Sequence, residues 1–238
     1  MNNKSYLNSD FDPLYILHFP GTGIEGHEYI IERELNRTIK ISDNLSIISI
    51  MDQKCWETSP IKIQCKNNNI SILNPALKET SWNNTLKIKY ILQSLNEIAT
   101  DYVLILDGRD TLIVNNLDDA FINKFKQLNK PIIYNGTPVA YPKISVETLQ
   151  ELIQIKGKQK FLNAGVCIGE RNALIDFYTK AKKINEQHPD NQSEQYIIRL
   201  TRHFYPELAG HDEQNKIFRI IHQYDTLVKE ENDNVILI

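Results

Sequence analysis

Apolar residues in this chain fall into two alternating patterns, short unbroken runs and stripes at helical spacing. Leu14–Phe19, Leu45–Met51, residues 102–107, Pro131–Tyr134 and Phe161–Ile168 are short runs rich in Val, Ile, Leu and Phe. Runs of this length and composition predict strands covered on both faces. Between them, Ile88, Ile91, Leu92, Leu95 and Ile98 recur at helical spacing, which predicts an amphipathic helix over Leu86–Ala99. Further helices are predicted over Glu28–Leu35, Leu117–Leu128, Arg171–Asn185 and Ser193–Leu200. Another is expected from Ser145, with Val146, Leu149, Leu152 and Ile153 inward. Residues 52–84 are polar and read as loops around a minor strand, whereas Lys216–Ile221 and Val235–Ile238 read as closing strands. Strands alternating with helices predict an α/β three-layer sandwich with a mostly parallel central sheet.

Bulk properties narrow the classes. With 238 residues and no Pro/Gly/Ser linker, the expectation is one domain over residues 1–238. A net charge of −3 and the lack of a sustained Lys/Arg block leave no footprint for nucleic acid, which is not an expected partner. No apolar run approaches the ~20 residues of a transmembrane segment, and the first residues lack the basic-then-apolar design of a secretory signal. Cys55, Cys65 and Cys167 are an odd, widely spaced set, which argues for a reducing compartment; the expected location is cytoplasmic.

Candidate chemistry concentrates at Asp107-Gly108-Arg109-Asp110, which ends the strand at 102–107. Ligands bind beyond strand ends in open α/β sheets, and two carboxylates at a tight turn can converge on a hard cation. A plain surface turn also favours Asp and Gly, so that reading stays open here. A phosphatase with an Asp-x-Asp motif does not fit, because Arg109 occupies the second acidic position. Gly21, Gly23 and Gly26 match the GxGxxG spacing of dinucleotide-binding folds, but Asp43, the nearest acid, precedes the second strand instead of ending it. Small residues Ala164 and Gly165, after Asn163, suggest close approach to a strand's backbone, or simply a packing glycine. Ser193-Glu194-Gln195 reads as a capped helix start, and Lys87 opens a helix.

Taken in order, these segments resemble the glycosyltransferase domain of collagen lysyl hydroxylases and its stand-alone relatives. The resemblance rests on Lys87-Ile88-Lys89-Tyr90, Asp107-Gly108-Arg109-Asp110, Phe161-Leu162-Asn163-Ala164-Gly165, Ser193-Glu194-Gln195 and Lys216-Ile217-Phe218, and covers roughly residues 86–238. It implies a GT-A-type, Rossmann-like fold and a metal-dependent hexosyltransferase with a UDP-sugar donor, Mn²⁺ and a glycan or other hydroxyl acceptor. It favours retention of anomeric configuration. On the resemblance, Asp107 and Asp110 hold the metal and Lys87 neutralises a phosphate oxygen. Asn163, Ala164 and Gly165 line the sugar pocket, with Gln195 beside them. Glu194 and Asn163 are the candidate catalytic residues, and His18–Thr22 is where such folds hold the uridine.

Three departures stand out. Ser193-Glu194 replaces the family's paired aspartates, and Val166 replaces its second glycine. The family's third metal ligand, a histidine after the last strand, has no counterpart in that context before Ile238; the late histidines His211 and His222 do not match the motif. That gap keeps an alternative open, a non-catalytic nucleotide-sugar or glycan-binding module with an incomplete metal site.

Overall fold

The computed structural model describes residues 5–21, 25, 27–142, 159–222, 228–231 and 234–237. Thr22, Gly23, Gly26 and the helix expected from Ser145 lie outside the described residues. The central sheet contains β3 (Leu45–Ile48), β4 (Ile72–Leu73), β5 (Tyr102–Leu106), β7 (Ile132–Thr137), β8 (Phe161–Glu170) and β9 (Ala209–His211). Their order across the sheet is β4-β3-β5-β8-β7-β9. Only β8 runs against its neighbours, so the sheet is mostly parallel.

Alternation along β5 explains the three layers. Val103 and Ile105 face one core, with Ile88, Ile91 and Leu95 of α4 (Leu86–Glu97), Phe177 and Tyr178 of α6 (Arg171–Gln187), and Ile197 of α7 (Glu194–Phe204). Leu104 and Leu106 face the other, with Cys65 of α3 (Pro60–Asn67) and Phe121 and Phe125 of α5 (Asp119–Lys126). Burying each such side chain stabilises the fold by roughly 1.5–3 kcal/mol. Asn83 Oδ1 accepts from the backbone N–H of Thr85 (3.0 Å) and Leu86 (3.3 Å), and so starts α4. That start fixes the first turn, where Lys87 sits.

Two small sheets complete the fold. β2 (Ile16–His18) lies between β10 (Phe218–Ile220) and β6 (Thr111–Ile113), parallel to the first and antiparallel to the second. β1 (Ser5–Leu7), β12 (Asn234–Leu237) and β11 (Val228–Glu231) form the other. α1 (Glu28–Glu34) places Ile30 in a third core with Leu17, Phe19 and Leu112, beneath the small sheets. The run at 14–19 is therefore outside the central sheet, whose first strand is β3.

Residues 52–84 depart from the loop expectation. They form α2 (Gln53–Thr58), α3, β4 and a 3-10 turn at Pro75–Lys78. Side-chain caps start both helices: Asp52 accepts from Cys55 N–H at 2.8 Å, and Ser59 from Lys62 N–H at 3.2 Å with Pro60 following. Each helix is too short for an apolar stripe to show its period. No helix among the described residues is long and apolar enough to cross a membrane.

Candidate active site

β5 delivers Asp107 to the edge of the sheet, where its N–H donates to Gly165 O at 2.6 Å. The chain then turns sharply and returns as β6, with Thr111 Oγ1 donating to Asp107 O. The turn is packed too closely for a side chain at Gly108. A Cβ there would stand 1.4 Å from Met51 Cε and 2.7 Å from Ser49 Oγ. Gly108 O accepts from Ser59 Oγ at 2.6 Å, tying the turn to the start of α3.

The β2–β6 register pairs His18 with Thr111 and so sets the imidazole beside Asp110. Phe19 N–H donates to Asp110 O at 2.8 Å, and on the other side Ile221 N–H donates to His18 O at 2.8 Å. His18 is buried, with Nε2 3.6 Å from Asp110 Oδ1. Neither its ring nitrogens nor Asp110 Oδ1 has a hydrogen-bond partner among the described residues. Buried polar atoms left without partners are costly unless something else satisfies them. One ligand atom from each of His18, Asp107 and Asp110 lies within 4.8 Å of the others. Two hard carboxylate oxygens and one imidazole suit Mn²⁺ or a similar divalent ion. Gly165 leaves room for this convergence: a Cβ there would lie 2.4 Å from His18 Cε1 and 2.8 Å from Asp107 Oδ2.

A second group joins Lys87, Asp107 and Glu194. Lys87 Nζ donates to Asp107 Oδ1 and lies 3.2 Å from Glu194 Oε2. Burial disfavours the ammonium, but Asp107 and then Glu194 hold the Lys87 pKa well above its ordinary value. Burial pushes the Glu194 carboxyl up to about 7, against the pull of Lys87. For Asp110, burial works upward, but His18 foremost, with Lys87 and Arg109, keeps the carboxyl below its ordinary value. Ser193 caps α7 by accepting from Tyr196 N–H at 3.3 Å, which orients Glu194 in the first turn.

Two cavities meet at these residues. The larger, about 480 Å³, is lined by His18, Lys87, Asp107, Asp110, Asn163, Ala164, Gly165, Glu194 and Gln195, with Pro20, Gly21, Asn84, Thr137, Val139, Tyr141, Ser193 and His222 on its remaining walls. The smaller, about 370 Å³, is lined by Met51, Asp52, Cys55 and Trp82 and shares Asn84, Lys87, Asp107 and Asp110 with the larger. It sits where β4 lies to one side of β3 and β5 to the other, the topological switch point at which open α/β sheets hold ligands.

The family description of the PLOD GT domain matches residues 78–237. The chain belongs to this family. The GT-domain match includes Lys87, Asp107, Asp110, Asn163 and Glu194, while His18, Met51 and Cys55 precede it. No curated protein matches the chain. Among solved structures, that of the WbbM bifunctional glycosyltransferase is similar at 10% identity and a TM-score of 0.40. That likeness covers 73% of this chain and 40% of the WbbM chain.

In this GT domain the expected site residues gather in one place, apart from Thr22, which lies outside the described residues. His18 is at the site but beside the carboxylates, away from the smaller cavity at the switch point. Pro20 and Gly21, of the segment expected to hold the uridine, line the larger cavity together with His18. The Lys216-Ile217-Phe218 motif acts through backbone. Their N–H groups donate to the Asp212 carboxylate at 2.8, 2.8 and 3.0 Å, which sets β10 against β2. His211 Nε2 is 2.8 Å from Gln159 O, and burial lowers that imidazole's pKa to about 4. Sequence reading missed Trp82, Met51, Val139 and Tyr141, none of which sits in a motif.

Proposed function

We propose that the chain transfers a hexose from a UDP-sugar to a hydroxyl acceptor with Mn²⁺ as cofactor. The observation that carries this reading is the junction of two cavities at Lys87, Asp107 and Asp110, with His18 behind the carboxylates. A diphosphate at that junction extends its nucleoside into the smaller cavity and its sugar into the larger. Asp107, Asp110 and His18 would hold the cation. A divalent cation there supplies Lewis acidity and charge compensation for departing UDP. On this reading His18, from the N-terminal part of the chain, is the third ligand beside the two carboxylates.

The protein's own groups account for the rest. Lys87 exchanges a contact with Asp107 for one with a phosphate oxygen and stabilises the leaving diphosphate. The Asn163 carbonyl oxygen is committed to Gly165 N–H at 2.9 Å, so its NH₂ is the group offered to a sugar hydroxyl. Glu194 accepts from the acceptor hydroxyl. The bond from the acceptor oxygen to the anomeric carbon forms on the face from which the diphosphate departs, as the bond from that carbon to the diphosphate breaks. Configuration is thus retained, as the resemblance implies. UDP keeps the electron pair, and the acceptor proton passes to Glu194, which burial has made more basic. Gln195 is a positioning residue: Oε1 accepts from Ala164 N–H at 3.2 Å and Nε2 donates to Tyr141 O at 2.7 Å.

Thermal unfolding with UDP, with Mn²⁺ and with both tests the reading. Ligands that bind the native state raise its midpoint by mass action. A joint shift larger than the sum of the separate shifts supports a cation-bridged diphosphate. A UDP shift indifferent to Mn²⁺ favours a binding module, and the absence of any UDP shift defeats the donor assignment.

A further inference from the structure

The larger cavity has one wall unlike the rest. Thr137 ends β7, and from there alternate residues, Thr137, Val139 and Tyr141, line the cavity. Val139 is 57% and Tyr141 65% exposed. The other exposed large apolar residues among those described, Phe11, Tyr29 and Phe204, line neither cavity. An exposed apolar patch rimmed by polar groups marks a binding surface more often than a random one.

This wall is also held in place. The Tyr141 carbonyl accepts from Gln195 Nε2 at 2.7 Å and from Arg199 Nη1 at 3.1 Å, and Pro142 O accepts from the same Arg199 nitrogen at 3.4 Å. Arg199 is itself buried, with its guanidinium 5.7 Å from the centre of the Phe161 ring. Gln195 carries the tie onward to Ala164 N–H on the cavity floor. The backbone that carries this solvated ring is thus tied to the cavity floor, although burial does nothing to require the ring there. Pinning the backbone at Tyr141 and Pro142 lowers the entropy cost of using the ring as a contact.

We infer that Val139 and Tyr141 form an acceptor subsite that takes a sugar, packing the C–H face of a pyranose ring on the tyrosine. A pyranose presents an apolar face and an edge of hydroxyls, and this cavity offers both complements. The wall supplies the flat apolar surface, and Asn163, Ser193 and Glu194 supply polar groups in the same cavity. A peptide hydroxyl has no such face and leaves the wall uncovered. The inference rests on the donor reading above, because it needs the smaller cavity for the nucleoside. The acceptor is therefore the terminal sugar of a glycan or glycoconjugate.

Saturation-transfer NMR on the whole chain tests this, with UDP present and diamagnetic Mg²⁺ in place of Mn²⁺. The probes are methyl β-glucopyranoside and methyl β-galactopyranoside, with sorbitol and a short hydroxyl-bearing peptide as comparisons. The expected result is transfer to the ring C–H protons of a glycoside, weak or no transfer to sorbitol, and at least a fivefold loss in Tyr141→Ala that Tyr141→Trp restores. Glycosides silent on the wild type, or a peptide signal that depends on Tyr141, overturns the proposal. Loss of the UDP thermal shift in Tyr141→Ala also overturns it, by assigning the ring to the nucleoside. A wild type that ignores UDP but shows Tyr141-dependent glycoside transfer defeats the donor reading and leaves the sugar subsite standing.

Discussion

His18 Nε2 stands 3.6 Å from Asp110 Oδ1, although β2 and the turn that carries Asp110 lie far apart in the chain. The contact follows from the antiparallel register of β2 on β6, in which His18 faces Thr111, the residue after Asp110. Parallel pairing with β10 holds β2 from its other side. The imidazole is therefore placed by backbone hydrogen bonds on both flanks, a rigid base for a ligand.

His18→Gln should weaken Mn²⁺ binding by roughly 10–100-fold, the range seen when groups that support a metal site are removed. Calorimetric titration of Mn²⁺ in the presence of UDP measures it, with circular dichroism to check folding. Wild-type affinity in the variant would place the third ligand elsewhere.

Asp107→Asn should remove Mn²⁺-dependent release of the sugar from a UDP-sugar by at least about 10²-fold, the scale for losing one electrostatic group aimed at the reacting centre. The initial hydrolysis rate without acceptor is the measurement. Unchanged turnover takes Asp107 out of the mechanism.

Gly165→Ala tests the crowding around the site. The added methyl meets His18 and Asp107 at 2.4 to 2.8 Å, inside any normal contact distance. Overpacking of this kind costs about 1–3 kcal/mol. A fall in the urea midpoint together with weaker Mn²⁺ binding is expected; full Mn²⁺ affinity would show that the three ligands do not need this space.

The Glu194 carboxyl gives a pH signature. Its folded pKa, about 7, lies above its ordinary value of 4.5, so between these limits the folded state binds more protons than the unfolded one. Its contribution to stability is fully present below about 4.5 and is lost as pH rises toward 7, on the order of 1–3 kcal/mol in all. Asp110 has the opposite shift, and its contribution is lost only as pH falls below its ordinary value of 3.8. Urea midpoints should therefore fall between pH 5 and 7 in the ligand-free wild type, and Glu194→Gln should flatten that slope. An equal slope in the variant would assign it to another buried carboxyl such as Asp212, which burial also raises.

Much of this protein is written locally. The apolar run of β5 and the stripe of Ile88, Ile91 and Leu95 on α4 predict their elements, because periods of two and 3.6 residues are properties of neighbouring positions. Local turn chemistry likewise put Asp107 and Asp110 at a strand end, and a helix start put Lys87 within reach of them. Residues 52–84 escaped, because their helices depend on single capping side chains and not on a repeating face.

What tertiary structure alone decided is which distant segments share a register. Nothing near His18 in sequence tells that its strand leaves the central sheet to pair with β6 and β10, and a one-residue slip would turn the imidazole to the opposite face. The smaller cavity needed β3 and β5 side by side, and the exposed ring of Tyr141 gained its place from Gln195 and Arg199, on a helix later in the chain. Sequence by itself determined the elements and the acidic turn, since those depend on near neighbours. The site as a whole waited on long-range strand pairing, which brings residues together across the chain and leaves no period in the sequence to read.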